Sequence, residues 1–185
     1  GEAIWVSSTT SPSRSTMVTG LFPAWHHCWT IGVKLPEDVP TVGDVFRSER
    51  YFTTLIGKAH FQPLASAPGS ESIECQPVLR DLEFWRSFHG PWYGFEHVEI
   101  GRMHADESHV GQHYAIWMEE RGLTNWRDYF APWPPDSSAP QRRHSWDLPE
   151  EFHYTNWITE RTIVNMEESL AAGRPFVAWA SYLDP

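Results

Sequence analysis

The sequence predicts an α/β fold with a largely parallel central sheet flanked by helices. Two observations predict it. Segments rich in β-branched and aromatic residues alternate along the chain with segments of helical period, the pattern of strands joined by crossover helices. A length of 185 residues suits one domain with one sizeable core, burying roughly 70% of the surface that the unfolded chain exposes. No internal repeat competes with this reading, and the 11 tryptophans are spread rather than periodic.

The elements follow in order. Ile4-Trp5-Val6 begins an extended stretch that Thr9-Thr10-Ser11-Pro12 ends. A helix of about two turns starts there, with Ser11 suited to the N-cap, Pro12 to the first helical position and Gly20 to the stop. Val42 to Arg50 forms a second helix, with Val42, Val45 and Phe46 on one face. Phe52 to Gly57 is a strand, residues 62–76 a surface loop without periodicity, and Gly94 to Ile100 a short strand. Ser108 to Arg121 is helical and closed by Gly122, whereas the prolines of 131–150 forbid regular structure and mark an insertion. Thr155 to Ala172 is the longest amphipathic helix, with Trp157, Ile158, Ile163 or Val164, Met166 and Leu170 inward and Gly173-Arg174-Pro175 as its stop. Arg174 to Pro185 reads as a buried strand.

Charge and hydropathy exclude several functions. Fourteen Lys and Arg against 24 Asp and Glu give a formal net charge of −10, the wrong sign for a general nucleic-acid binder, although a local basic pocket for a small anion is allowed. No apolar run approaches the roughly 18 residues of a membrane-spanning helix, so a soluble chain with no membrane partner is expected. Cys28 and Cys75 are too few for a disulfide framework and have no CxxC spacing, which leaves the compartment open. The opening Gly1-Glu2-Ala3 has neither an initiating Met nor a basic leader, so a piece of a longer chain is expected, with no signal peptide within this segment. The sheet edges would then be covered by further chain or by a partner, and an oligomer is compatible with this.

Ligands of open α/β sheets sit beyond the carboxyl ends of the strands, and two polar segments fall there. Thr10 stands just before a helix N-terminus, which stabilises an anion or a developing alkoxide, and Arg14 one turn on offers a bidentate grip to an oxyanion. Lys58 and His60 follow the strand 52–57 and supply a compact positive charge and a general acid. Together they describe a pocket for sulfate or phosphate, against the plainer reading of a capped helix start and a surface Lys-X-His. His109 and His113 share a helical face at i and i+4, but the Glu of a zinc-hydrolase HExxH is missing. The other histidines, including His26-His27 and His144, show no ligand spacing, and Glu150-Glu151 suit the first turn of a helix.

The run Thr10-Ser11-Pro12-Ser13-Arg14, continuing to Thr19-Gly20-Leu21-Phe22-Pro23, resembles the signature of the sulfatase family, in which Cys-X-Pro-Ser-Arg precedes a short helix ending in Thr-Gly. The likeness continues through Leu35 to Thr41, Thr54-Leu55-Ile56-Gly57-Lys58-Ala59-His60-Phe61, Tyr93 to Glu99, Glu151 to Thr155 and Ser181-Tyr182-Leu183-Asp184-Pro185, nearly the whole chain in order. The resemblance implies an alkaline-phosphatase-like fold, as part of a single sulfatase-like domain over 1–185. It also implies hydrolysis of small-molecule sulfate or phosphate esters with a divalent cation, usually Ca²⁺. It assigns the nucleophile and metal-ligating position to Thr10, the steadying residue to Arg14, and the ligands of the transferred group to Lys58 and His60.

The departures are chemical. The family's cysteine is oxidised to formylglycine, which threonine cannot become, and Ile31 stands where relatives commonly have asparagine. The remaining metal ligands are expected outside this segment. Three readings follow: a sulfatase-like hydrolase, a degenerate protein that keeps the fold and an anion pocket, and an enzyme that uses a threonine alkoxide on phosphodiesters. Substrate identity is left to the loops 62–76 and 131–150, where Trp133 and Trp146 could stack on a sugar or aryl group.

Overall fold

The computed structural model describes residues 10–63, 65–68, 70–102, 109–130 and 147–182. The expected first strand, residues 131–146 with Trp133, His144 and Trp146, and the end of the last strand lie outside the described residues. The elements are α1 (Thr10–Thr19), α2 (Pro23–His26), α3 (Val42–Ser48), β1 (Phe52–Gly57), α4 (Leu82–Ser87), β2 (His97–Ile100), α5 (Gln112–Glu120), α6 (Tyr154–Ala171) and β3 (Phe176–Ser181). The described strands form one sheet of order β2-β1-β3, with both pairings parallel.

Register and core agree. Leu55 lies opposite Val98 on one side and Trp179 on the other, and Leu55, Val98 and Trp179 pack into one cluster with Val18, Trp85, Phe61 and Phe95. Ile56 and Ala180 are the next pair along and face the other way, into a cluster with Tyr114, Met118, Trp157 and Ile158. Alternate residues of β1 thus anchor two helical layers, which is the α/β arrangement that the alternating segments predict. No described helix is long and apolar enough to cross a membrane.

Several boundaries and faces differ from the sequence reading. The helix expected from Ser108 starts at Gln112, after Gly111, and Gln112 itself has φ 55. In α3 the buried residue is Gly43, while Val45 is 59% exposed. A capping box fixes that helix: Thr41 Oγ1 accepts from Asp44 N–H at 3.3 Å, the Thr41 N–H donates to Asp44 Oδ2 at 3.0 Å, and Thr41 Oγ1 donates to the Tyr93 carbonyl at 2.7 Å. In α6 Ile163 and Leu170 are exposed, while Asn165 and Ser169 are buried. These polar residues win the inner face because each is satisfied there: Asn165 Nδ2 donates to the Arg161 carbonyl at 2.8 Å, and Ser169 Oγ donates to the Arg174 carbonyl at 2.9 Å.

The segment 62–76 is irregular, as its composition predicts, but its ends are not surface. Gln62, Ser72, Glu74 and Cys75 are all buried. Ile73 N–H donates to Gln62 Oε1 at 2.8 Å and Ser72 Oγ donates to the Pro63 carbonyl at 2.8 Å, so the loop folds back on its own start.

Candidate active site

Thr10 is the first described residue of α1 and is half-buried. From the same helix Arg14 crosses to the segment that leaves β1. Its Nε donates to the Ala59 carbonyl at 2.7 Å, and its Nη2 donates to the Lys58 carbonyl and to Ser181 Oγ. The bidentate grip on an oxyanion expected of Arg14 is therefore not what these atoms do: they hold the carboxyl ends of β1 and β3 against α1. Burial lowers the guanidinium to about 10, partly countered by Glu74, so it stays a cation at neutral pH.

Gly57 is the hinge between strand and site segment. It has φ +102, and a Cβ there would lie 2.2 Å from the Ser181 carbonyl oxygen, so only glycine lets β1 turn out this close to β3. Lys58 follows, half-buried, and its N–H donates to the same Ser181 oxygen at 3.0 Å. His60 is buried and left-handed, with φ 61, a conformation that costs a non-glycine residue on the order of 1 kcal/mol and needs outside support.

That support comes from both sides. Arg14 holds the carbonyl of Ala59, the Leu35 N–H donates to the Phe61 carbonyl at 2.8 Å, and the Phe61 N–H donates to Glu74 Oε1 at 3.1 Å. Burial pushes the Glu74 carboxyl up to about 7, against the opposing pull of Arg102, the Phe61 N–H and Arg14. Arg102 Nη1 donates to the Glu74 carbonyl in turn.

Lys58, His60, Glu74, Arg102 and Gln112 line one crevice, too narrow to admit water. Arg102 and Gln112 are 4% and 1% exposed, and Arg102 Nε and Nη2 and both amide atoms of Gln112 have no hydrogen-bond partner among the described residues. Buried polar atoms left over beside a cationic segment are unusual enough to mark the place. Sequence reasoning misses Glu74, Arg102 and Gln112, because none of them sits in a periodic pattern or beside a motif.

The pair His109 and His113 is not a metal site. His109 precedes α5 rather than sharing its face, and His113 is a buried core histidine, with Nδ1 accepting from Ile100 N–H at 3.0 Å and Nε2 donating to the Phe88 carbonyl at 2.9 Å. His26 is likewise a core residue: its Nδ1 accepts from Cys28 N–H at 3.1 Å, which leaves Nε2–H for Thr16 Oγ1 at 3.0 Å. A separate polar cleft of about 210 Å³ between α4, α5 and α6, lined by Glu99, His89 and Arg161, shares no residue with the crevice.

The structure thus clamps the strand-end segment Gly-Lys-Ala-His to the Thr-Ser-Pro-Ser-Arg helix. The family model described as Sulfatase matches residues 3–184. The chain belongs to the sulfatase family. Among curated relatives, an uncharacterized sulfatase, YidJ of Escherichia coli (strain K12), is 25% identical over 179 residues, which is 97% of this chain and 29% of that protein. Among solved structures, the phosphonate monoester hydrolase SpPMH from Silicibacter pomeroyi is similar with a TM-score of 0.61 and 21% identity, over 97% of this chain and 33% of that one. The likeness to SpPMH shows the shared fold. The chain thus spans about a third of the length of the proteins it matches.

Sulfatase-family relatives generally use a divalent metal. The described residues do not fit one by themselves. No group of three His, Cys, Asp or Glu side chains among them could hold an ion, and Thr10 offers a single hydroxyl where Ca²⁺ takes six to eight oxygens.

Proposed function

We propose that this sulfatase-family chain carries the nucleophile and the anion-holding segment of a hydrolase of small-molecule sulfate or phosphate esters. The observation that supports it is the Arg14 clamp, which ties the helix opened by Thr10 to the carbonyls of Lys58 and Ala59 and to Ser181. In this reading the Thr10 hydroxyl gives its proton to solvent as Oγ1 attacks the central phosphorus or sulfur, and the bond to the leaving oxygen breaks. His60 gives that oxygen a proton, and water then cleaves the threonine ester to release the acid. Lys58 offsets the charge of the transferred group, and the buried Arg102 cation behind it adds to the positive potential. A divalent cation, Ca²⁺ by family resemblance, belongs to this reading, with Thr10 as one ligand and the others supplied from outside the described residues.

Thr10 bears a methyl on Cβ and cannot be oxidised to an aldehyde, so the formylglycine route to sulfate esters is closed to it. The reading therefore favours phosphorus: phosphodiesters, and the phosphonate monoesters for which SpPMH is named. The alternative, a catalytically silent protein that keeps the fold and an anion pocket, is favoured by the same threonine.

The test compares an aryl sulfate, an aryl phosphodiester and an aryl phosphonate monoester with Ca²⁺ present, using the native protein and its Thr10→Ala and Thr10→Cys variants, the last with a maturation enzyme. Turnover of a phosphorus ester that Thr10→Ala abolishes is the expected result. Efficient sulfate release by the native form would show the nucleophile to be misassigned, and sulfate binding without turnover of any ester would select the silent protein.

A further inference from the structure

We propose that Glu74 is the positioning residue of the Lys58–His60 segment, acting as the buried acceptor that keeps His60 in its left-handed conformation and faces its charge toward the anion-holding side chains. The part of this that concerns anion binding rests on the functional reading above. The part that concerns backbone position does not.

The geometry carries it. His60 is the strained residue of the segment, with φ 61, and the peptide that follows it gives its N–H to Glu74 Oε1 at 3.1 Å. The other fastenings are the Lys58 N–H on the Ser181 carbonyl, before the strained residue, and three backbone carbonyls held from elsewhere: Lys58 and Ala59 by Arg14, and Phe61 by the Leu35 N–H. Glu74 takes up the donor on the far side of His60, so without it that side of the segment is held by the Phe61 carbonyl alone. Glu74 is itself fixed, since its N–H donates to Ser72 Oγ at 3.1 Å and its carbonyl accepts from Arg102. It borders two spaces, the crevice under Lys58 and His60 and a wider cleft of about 360 Å³ with Ser66, Cys75 and His109.

The charge environment makes the carboxyl responsive. Arg14 from α1, Arg102 after β2 and Tyr93 interact with it, and Lys58, His60 and His109 line the spaces it borders. Burial is the strongest influence and pushes the carboxyl up to about 7. As a neutral acid, Glu74 still accepts the Phe61 N–H through its carbonyl oxygen and leaves the positive charge of Lys58 undiminished. As a carboxylate it sets a negative charge beside the place where an anion binds, which weakens that binding. Glutamine mimics the neutral form in shape and acceptor capacity, whereas alanine removes the acceptor.

Two measurements test this on the native chain, Glu74→Gln and Glu74→Ala. Hydrogen exchange of the Phe61 amide reads position without any ligand. Protection is expected in the native chain and Glu74→Gln, with loss of about tenfold or more in Glu74→Ala while the amides of β3 keep theirs. Titration with inorganic sulfate reads the charge. Binding by the native chain is expected to weaken as pH rises through about 7, this step is expected to be absent in Glu74→Gln, and affinity in Glu74→Ala is expected to be about tenfold lower. Equal Phe61 protection in all forms overturns the positioning role, and so does loss of protection in Glu74→Gln, which stands as the decisive variant if Glu74→Ala does not fold. A native chain that binds no sulfate overturns the anion-site reading of Lys58 and His60, while the amide measurement still decides the position.

Discussion

Arg14 shows how one side chain can be conspicuous in a motif and still do a different job there. Spacing from Thr10 suggests a residue aimed at an oxyanion, yet Nε and Nη2 meet two carbonyls and a hydroxyl from the carboxyl ends of two strands. The planar, always-charged guanidinium suits this, because donors that diverge in one plane can reach separate acceptors. Lysine has a single nitrogen and cannot span them. Arg14→Ala is expected to destabilise the fold by about 2–4 kcal/mol, the cost of leaving partly buried acceptors unpaired, and Arg14→Lys to recover less than half of that, both read from urea denaturation. A loss under ~1 kcal/mol in Arg14→Ala would show that solvent takes over these acceptors. At this scale the meeting of Arg14 with the segment after β1 was legible, because the one sits in a contiguous run at a helix start and the other directly after a strand. Glu74 was not, since its burial depends on a loop folding back through Gln62 and Ser72 contacts that leave no periodic trace.

At the scale of the element, patterns of apolar residues located helices and strands well and assigned their faces less well. β1 was legible from its β-branched run, and α6 from its length and its Gly-Arg-Pro stop. The inner face of α6 was legible at Trp157 and Ile158, both buried, but not farther along, because Asn165 and Ser169 are polar residues whose partners come from Arg161 and Arg174. The face of α3 was misread for a related reason: Gly43, without a side chain, is the contact residue. A Cβ at Gly43 would lie 2.6 Å from the carbonyl carbon of Gly94 and 2.8 Å from its oxygen. Helix propensity alone favours alanine over glycine by about 1 kcal/mol, but the obstacle is backbone and cannot rotate away, so overpacking of about 1–3 kcal/mol wins. Gly43→Ala is expected to lower the melting temperature. A rise would mean that α3 can slide on the 93–95 turn without cost.

For the molecule as a whole, its charges are paired across elements, and this sets how stability responds to pH. Glu99 on β2 is pushed up by burial but held at about 2 by hydrogen bonds from His97 and Arg161, with Arg161 Nε at 2.7 Å joining β2 to α6. His113 between β2 and α4 is pulled down to about 4 by burial first and by the neighbouring His89 second. Glu74 goes the other way, up to about 7. Between pH ~6.5 and ~4.5 the unfolded chain binds a proton at His113 that the native chain refuses, so this residue makes stability fall as pH falls, by about 1.4 kcal/mol per pH unit. Over the same range native Glu74 holds a proton that the unfolded chain has lost, so it makes stability rise as pH falls, with the same slope and opposite sign. The two offset one another, while His26 and His89, also pulled down by burial, leave a gentle net fall in stability as pH falls. Below pH ~4.5 Glu74 is protonated in both states, whereas Glu99 begins to cost stability as the unfolded carboxylate takes up protons, so acid unfolding should set in steeply. Glu74→Gln removes one side of the balance. Melting temperature followed from pH 7 to pH 4 should fall gently to about 4.5 in the native chain and more steeply from about 6.5 in Glu74→Gln, and coincident profiles would show that Glu74 titrates as an ordinary carboxylate.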